Sequence, residues 1–260
     1  MRQFLLPPDY AGENEIVIHG NDHHYLKNVL RIKTGERFMG IDRSGTQYIL
    51  SAVKISSDAS YFTVQKGRRH NATENERAIT LFQCLPKGKK MEQIIRQAVE
   101  AGISQIIPLE SDYSIPKIKD LEMEKKVHKW NRIVKEAVQQ CGAPSIPQMQ
   151  KPLKLAEIEG IWPKSEPGIF FHQKPLDNKT LHEYLSACSK KIAIVIGPEG
   201  GFSEKEIHFL LEYGFKPVYL GPTVLRTETA ALFAIAAVKI IVLENSSWKV
   251  QSQKKPGSNY

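Results

Sequence analysis

The spacing of apolar and polar residues divides the chain into two stretches of different rhythm. Up to about residue 70 the apolar positions come in short alternating runs. Glu15–Ile18, Glu36–Asp42, Thr46–Ile55 and Tyr61–Gln65 read as strands, and Asp42-Arg43-Ser44-Gly45 is a turn sequence between the second and third. Asn21–Arg31 reads as a short helix with Tyr25, Leu26, Val29 and Leu30 on one face. Short strands joined by turn signals predict a small barrel over residues 1–70. Lys66 to Arg77 is polar and charged and reads as the connection, with 71–77 as its centre.

From Ala78 strands and helices alternate, which predicts a mostly parallel sheet covered by helices, an α/β domain over 78–245. Ile79–Leu85, Gln105–Ile107, Ile169–Phe171, Ile192–Ile196 and Pro217–Leu220 are the buried strands. Met91, Ile94, Ile95, Ala98 and Val99 mark one helix, which Gly102 ends. Trp130, Ile133, Val134, Ala137, Val138 and Cys141 mark a second, stopped by Gly142 and Pro144. Ser203 and Glu206 have capping-box spacing for a helix that Gly214 closes. A last, very apolar helix runs from about Thr229 to Leu243, and the polar residues 246–260 read as a disordered tail. Trp130 and Phe171 are expected in the core, and His23 and His24 on the surface.

Composition narrows the class. Hydrophobic residues make up 41% and charged residues 25% of 260, which excludes a disordered or collagen-like chain. Thirty-six Lys and Arg stand against 28 Asp and Glu, a net charge of +8. The excess is spread along the chain, which suits a broad nucleic-acid-facing surface better than a basic arm, although solubility alone accounts for a similar value. Cys84, Cys141 and Cys188 are far apart and form no C-x-x-C pair, so buried free thiols are expected and no metal site. The N-terminus lacks a signal-peptide core, and the apolar run Ala230–Leu243 is too short to span a bilayer. The expected compartment is the cytoplasm, with no membrane partner.

The chemistry is expected where strands end in glycine-rich loops, because ligands of open α/β sheets bind outside the carboxyl ends of strands. Two loops qualify: Gly197-Pro198-Glu199-Gly200-Gly201, and Gly221-Pro222 followed by Leu225-Arg226-Thr227-Glu228. Glycine lets the backbone approach a ligand closely, and backbone N–H and C=O groups can read an adenine edge. Neither loop has the spacing of a Rossmann fingerprint or a P-loop. Arg226 suits the stabilisation of negative charge on a substrate, with Glu228 near enough to orient it. Glu228 can equally serve the helix dipole, and Thr227 or Thr229 the N-cap.

Ile196–Ser203 and Leu220–Ala230, in this order near the C-terminus, resemble the two signatures of the RsmE family, bacterial 16S rRNA uridine N3-methyltransferases of the SPOUT superfamily. Tyr25–Arg31, Lys87–Glu92 and Glu100–Gly102 are similar to further blocks of that family, so the likeness covers nearly the whole chain. The resemblance implies a PUA-like N-terminal barrel that grips RNA and a C-terminal domain with a deep trefoil knot. It implies S-adenosylmethionine (SAM) held by Phe171, His172, Ile196, Gly197, Pro198, Glu199, Gly200, Gly201, Leu220, Gly221, Leu225 and Thr227. It implies Arg226 and Glu228 as the catalytic pair, and Arg2, Tyr25 and Arg31 as RNA contacts. It also implies a homodimer acting on 16S rRNA or the small ribosomal subunit, with no metal. The chain departs from the family at Glu100-Ala101-Gly102, at Tyr113-Ser114, where the family usually has an Arg, and at Gln139–Ala143, where an acid and an Arg are missing. Those losses keep an alternative in view, an RNA-binding protein of the same fold with an altered target or no activity.

Overall fold

The computed structural model describes residues 3–69, 77–114, 120–186 and 189–245. Arg2, Cys188, residues 70–76, which take in all of the expected connection's centre but Arg77, and the tail lie outside them.

The first stretch comprises β1 (Gln3–Leu5), β2 (Glu15–His19), α1 (Gly20–His24), a π-helical turn (Tyr25–Val29), β3 (Arg37–Ile41), β4 (Thr46–Ile55) and β5 (Ala59–Arg69). These strands form a five-stranded sheet in the order β1-β3-β4-β5-β2, in which β1 runs parallel to β3 and every other pair is antiparallel. Phe4, Leu6, Ile18, Leu26, Leu50 and Phe62 fill its core. Three expectations change here. Lys66–Arg69 belongs to β5, where pairing with β4 overrides its polar composition, so the connection is shorter than its sequence suggests. His23 is 6% exposed rather than on the surface, its ring bonded to Ser60 Oγ at 2.7 Å and to the Ser57 carbonyl at 3.2 Å. The expected helix over Asn21–Arg31 is an α-turn running into the π-turn, and it ends at Arg31 in the left-handed region (φ 56°).

The second stretch comprises β6 (Ala78–Cys84), α2 (Lys90–Glu100), β7 (Gln105–Glu110), α3 (Asp120–Cys141), β8 (Gln148–Met149), β9 (Leu153–Lys154), a 3₁₀ turn (Leu155–Gly160), β10 (Gly168–His172), α4 (Leu181–Tyr184), β11 (Lys191–Ile196), α5 (Glu204–Tyr213), β12 (Lys216–Tyr219) and α6 (Thr227–Asn245). All seven strands are parallel, in the order β12-β10-β11-β6-β7-β8, with β9 also paired to β7. The central strands are apolar throughout because both faces are covered. On β11, Ile192, Ile194 and Ile196 enter the core shared with α2, α3 and α6, while Ala193 and Val195 enter the core shared with α5 and the 3₁₀ turn.

Sequence signals set most of these boundaries. Ser203 Oγ accepts from Glu206 N–H, Glu206 reaches back to Ser203 N–H, and Gly214 ends α5 as expected. Lys239 interrupts the apolar run of α6 for a structural reason, donating to the Ala101 carbonyl at the end of α2 at 2.6 Å. Trp130 and Phe171 are buried as expected, and so is Cys84, but Cys141 at the end of α3 is exposed. The two stretches meet where Gln3 Nε2 donates to the Val138 and Ala143 carbonyls and where Lys135 pairs with Asp22 at 2.7 Å. None of the described helices is long and apolar enough to cross a membrane.

Candidate active site

The carboxyl ends of β10, β11 and β12 lie side by side, so the loops leaving them converge. They enclose a cavity of about 290 Å³ lined by Phe171–Gln173, Ile196–Phe202, Leu220, Gly221 and Thr223–Thr227, with Ala230. All twelve residues expected to hold the cofactor line this one cavity, and Arg226 lines it with them. Gln173, Phe202, Thr223, Val224 and Ala230 complete the wall without having been named as cofactor contacts, although all but Gln173 lie within the two signature segments. Gly201 (φ 74°) and Gly221 (φ 100°) turn the two loops through backbone conformations that side-chain-bearing residues rarely adopt.

One hydroxyl joins the loops. Thr227 begins α6 two residues earlier than its hydrophobic pattern indicates. Its Oγ1 donates to the Gly197 carbonyl at 2.8 Å and accepts from Gln83 Nε2 at 3.1 Å. Gln83 is fully buried at the end of β6 and also donates to the Cys84 carbonyl. Gln83 stands out in the sequence only as an amide within the apolar run Ile79–Leu85, which marks a polar group needing a partner without saying which.

A second link is ionic. Lys90, at the start of α2, lies 2.8 Å from Glu199 and 3.5 Å from Glu228. The Lys87 N–H also donates to Glu199. Burial pushes the Glu199 carboxyl up, but the Lys90 ammonium and the backbone N–H groups of Glu199 and Lys87 outweigh it, so it titrates below the usual carboxylate range. A depressed pKa means a contribution to stability that is fully present above the ordinary carboxylate pKa and lost as pH falls through the lowered value. Glu199→Gln is therefore expected to melt below the wild type at neutral pH, and the two melting curves should converge on acidification below the carboxylate range. Parallel thermal melts across pH check this.

The expected catalytic pair is split. Arg226 is exposed at the cavity wall, and neither neighbouring carboxylate pairs with it, since Glu199 and Glu228 both face Lys90. Glu228 is buried and is absent from the cavity lining. His172 lines the cavity with Nδ1 accepting from the Lys174 N–H at 3.1 Å. Tyr25 packs partly against the core of the N-terminal sheet, and Arg31 is exposed beyond the π-turn, both in the N-terminal stretch rather than at the cavity.

The arrangement is a backbone-lined pocket whose guanidinium, Arg226, takes no ion pair among the described residues. Residues 73–239 match the RNA methyltransferase domain family. A ribosomal RNA small subunit methyltransferase E from Buchnera aphidicola subsp. Schizaphis graminum is 32% identical over 217 residues, covering 84% of this chain and 87% of the relative. A putative methyltransferase from Legionella pneumophila, solved in complex with SAM, superposes with a TM-score of 0.81 at 29% identity over 92% of this chain and 96% of its own. The ribosomal RNA small subunit methyltransferase E of Neisseria gonorrhoeae, solved bound to SAM, gives a TM-score of 0.78 at 27% identity over 93% of this chain and 98% of its own. With the family model spanning most of its length, this chain is an RNA methyltransferase and belongs to the ribosomal RNA small subunit methyltransferase E family.

Proposed function

We propose that this enzyme methylates N3 of a specific uridine in 16S rRNA, with SAM bound in the cavity between the two glycine loops. The carrying observation is that both loops and Arg226 line one cavity, joined by the Thr227 hydroxyl. The lining fits a ligand read by backbone groups and apolar walls, since Glu199 is engaged by Lys90 and Arg226 takes no ion pair among the described residues.

SAM supplies a methyl group made electrophilic by the sulfonium. Phe171, Ile196, Leu220 and Leu225 enclose it, and the Gly197–Gly201 and Gly221 backbones offer it hydrogen bonds. Uridine N3 must lose its proton, to solvent, before it can take the methyl group; the resulting charge spreads over O2 and O4, and transfer would break the sulfur–methyl bond and leave a neutral thioether. Arg226 stabilises that charge electrostatically. Glu228 acts at a distance, holding Lys90 and through it the Glu199 loop, so we assign it positioning rather than proton transfer.

The N-terminal sheet serves in this reading as a PUA-like barrel that grips RNA through Arg2, Tyr25 and Arg31. The left-handed backbone at Arg31 supports it, because a non-glycine residue held there is characteristic of functional positions. Arg31→Gly is expected to stabilise the fold by up to about 1 kcal/mol while weakening RNA binding. Urea melts and RNA titrations should therefore move in opposite directions. The knotted domain is supported by α6 starting against the loop after β11. A homodimer is supported by the exposed apolar strip Leu232, Phe233, Ala236 and Ile240 on α6. The net charge of +8 suits salt-sensitive phosphate contacts.

The test uses small ribosomal subunits and rRNA from a strain lacking the protein. Purified enzyme with methyl-labelled SAM should label them and leave wild-type material unlabelled. No incorporation into either would overturn the reading.

A further inference from the structure

We infer that Tyr113, with Lys87 and Lys89, forms a stacking and phosphate-binding surface for an unpaired nucleotide flanking the target; this rests on the RNA substrate proposed above. Tyr113 is 51% exposed. Its position is nevertheless fixed. A Cβ on Gly200 would lie 3.1 Å from Tyr113 Cβ and 3.5 and 3.6 Å from Cγ and Cδ2, so the tyrosine rests on the space that glycine leaves open.

The loop carrying it is clamped. Asp112 N–H donates to Glu206 Oε1 at 2.8 Å, and Ser203 Oγ donates to Asp112 Oδ2 at 2.6 Å. Ser111 and Ser114 bond to each other through their hydroxyls at 2.8 Å. Glu206, Ser203 and Ser114 are buried, so the clamp is anchored in the domain and does not use the tyrosine ring. A ring carried on a clamped loop costs less conformational freedom to engage than one on a free loop when a base stacks on it.

The neighbouring residue of the same loop holds the cations. Glu199 fixes the segment Lys87–Lys90 through the Lys87 N–H and the Lys90 ammonium. Lys90 is thereby matched by two carboxylates, whereas Lys87 and Lys89 are exposed and take no ion pair among the described residues. Tyr113 rests on Gly200 and the lysine segment is held by the adjacent Glu199, so an exposed aromatic ring and uncompensated ammonium groups are held against the same glycine loop. That combination is the chemistry that binds single-stranded RNA, one group stacking on a base and the others meeting phosphates. Tyr113 is not part of the cavity wall, so its base is a neighbour of the acceptor uridine and not the acceptor itself.

The test titrates fluorescein-labelled single-stranded RNA by anisotropy, with SAM calorimetry and thermal melts on the same proteins. Tyr113→Ala and Tyr113→Leu should weaken RNA binding by roughly five- to hundredfold, Tyr113→Phe should match the wild type, and SAM affinity and melting temperature should not move. Replacing Lys87 and Lys89 with alanine should flatten the salt dependence by about 0.7 per lost phosphate contact. Unchanged RNA binding in Tyr113→Ala, or Leu serving as well as Phe, would overturn the inference. RNA binding is read without methyl transfer, so a wild type that binds RNA but no SAM defeats the proposed reaction and leaves Tyr113 to be judged by its own variants.

Discussion

Replacing Arg226 with alanine is expected to slow methyl transfer by about 10²–10³-fold, the usual cost of removing one electrostatic donor from a developing anion. Two features make the prediction sharp. The guanidinium is exposed at the cavity wall, and Glu199 and Glu228 are both committed to Lys90, so its charge is not neutralised within the site. Its side chain takes no hydrogen bond or ion pair among the described residues, so melting temperature should stay close to the wild type. Arg226→Lys keeps the charge but loses the planar fork, and should recover only part of the rate. Single-turnover kinetics at saturating SAM measure the effect on chemistry. A wild-type rate for Arg226→Ala would remove this residue from the mechanism.

The second large effect is expected at Thr227. Valine has nearly the same shape but neither donor nor acceptor, so Thr227→Val strands one Gln83 amide hydrogen in a buried setting and the Gly197 carbonyl in a partly buried one. Leaving two such groups unpaired costs roughly 2–4 kcal/mol. Part of that loss should surface as weaker SAM binding, because the hydroxyl ties the start of α6 to the first glycine loop. Thr227→Ser keeps the hydroxyl and should retain most of both properties. Urea denaturation and calorimetric SAM titration of the pair check it. Equal stability of Val and Ser variants would show that the hydrogen bonds contribute little.

Legibility from sequence followed the range of the forces involved. α2, α3 and α5 were readable because a buried helical face imposes its own period, and α5 added a capping box and a closing glycine. β11 was readable as a continuous apolar run because both its faces are covered. Three-residue β1 and the two-residue β8 and β9 were not, since their strand character comes entirely from partners distant in sequence. The burial of His23 was hidden for the same reason, its bonding partners lying on and just before β5. The cavity lining was legible through two glycine loops and the family resemblance they carry. The linkage behind it was not, because Lys90 meets Glu199 across 109 residues and Gln83 meets Thr227 across 144. No local pattern encodes such pairs, and that is why Glu228 read as a catalytic partner for Arg226 when its carboxylate faces Lys90.

The central claim, that this cavity directs a methyl group to N3 of uridine, is tested most directly by mass spectrometry of nucleosides from 16S rRNA treated with the enzyme and SAM. The account predicts 3-methyluridine with the wild type and a far smaller yield with Arg226→Ala. A methyl group on ribose, or on any other base, would contradict it.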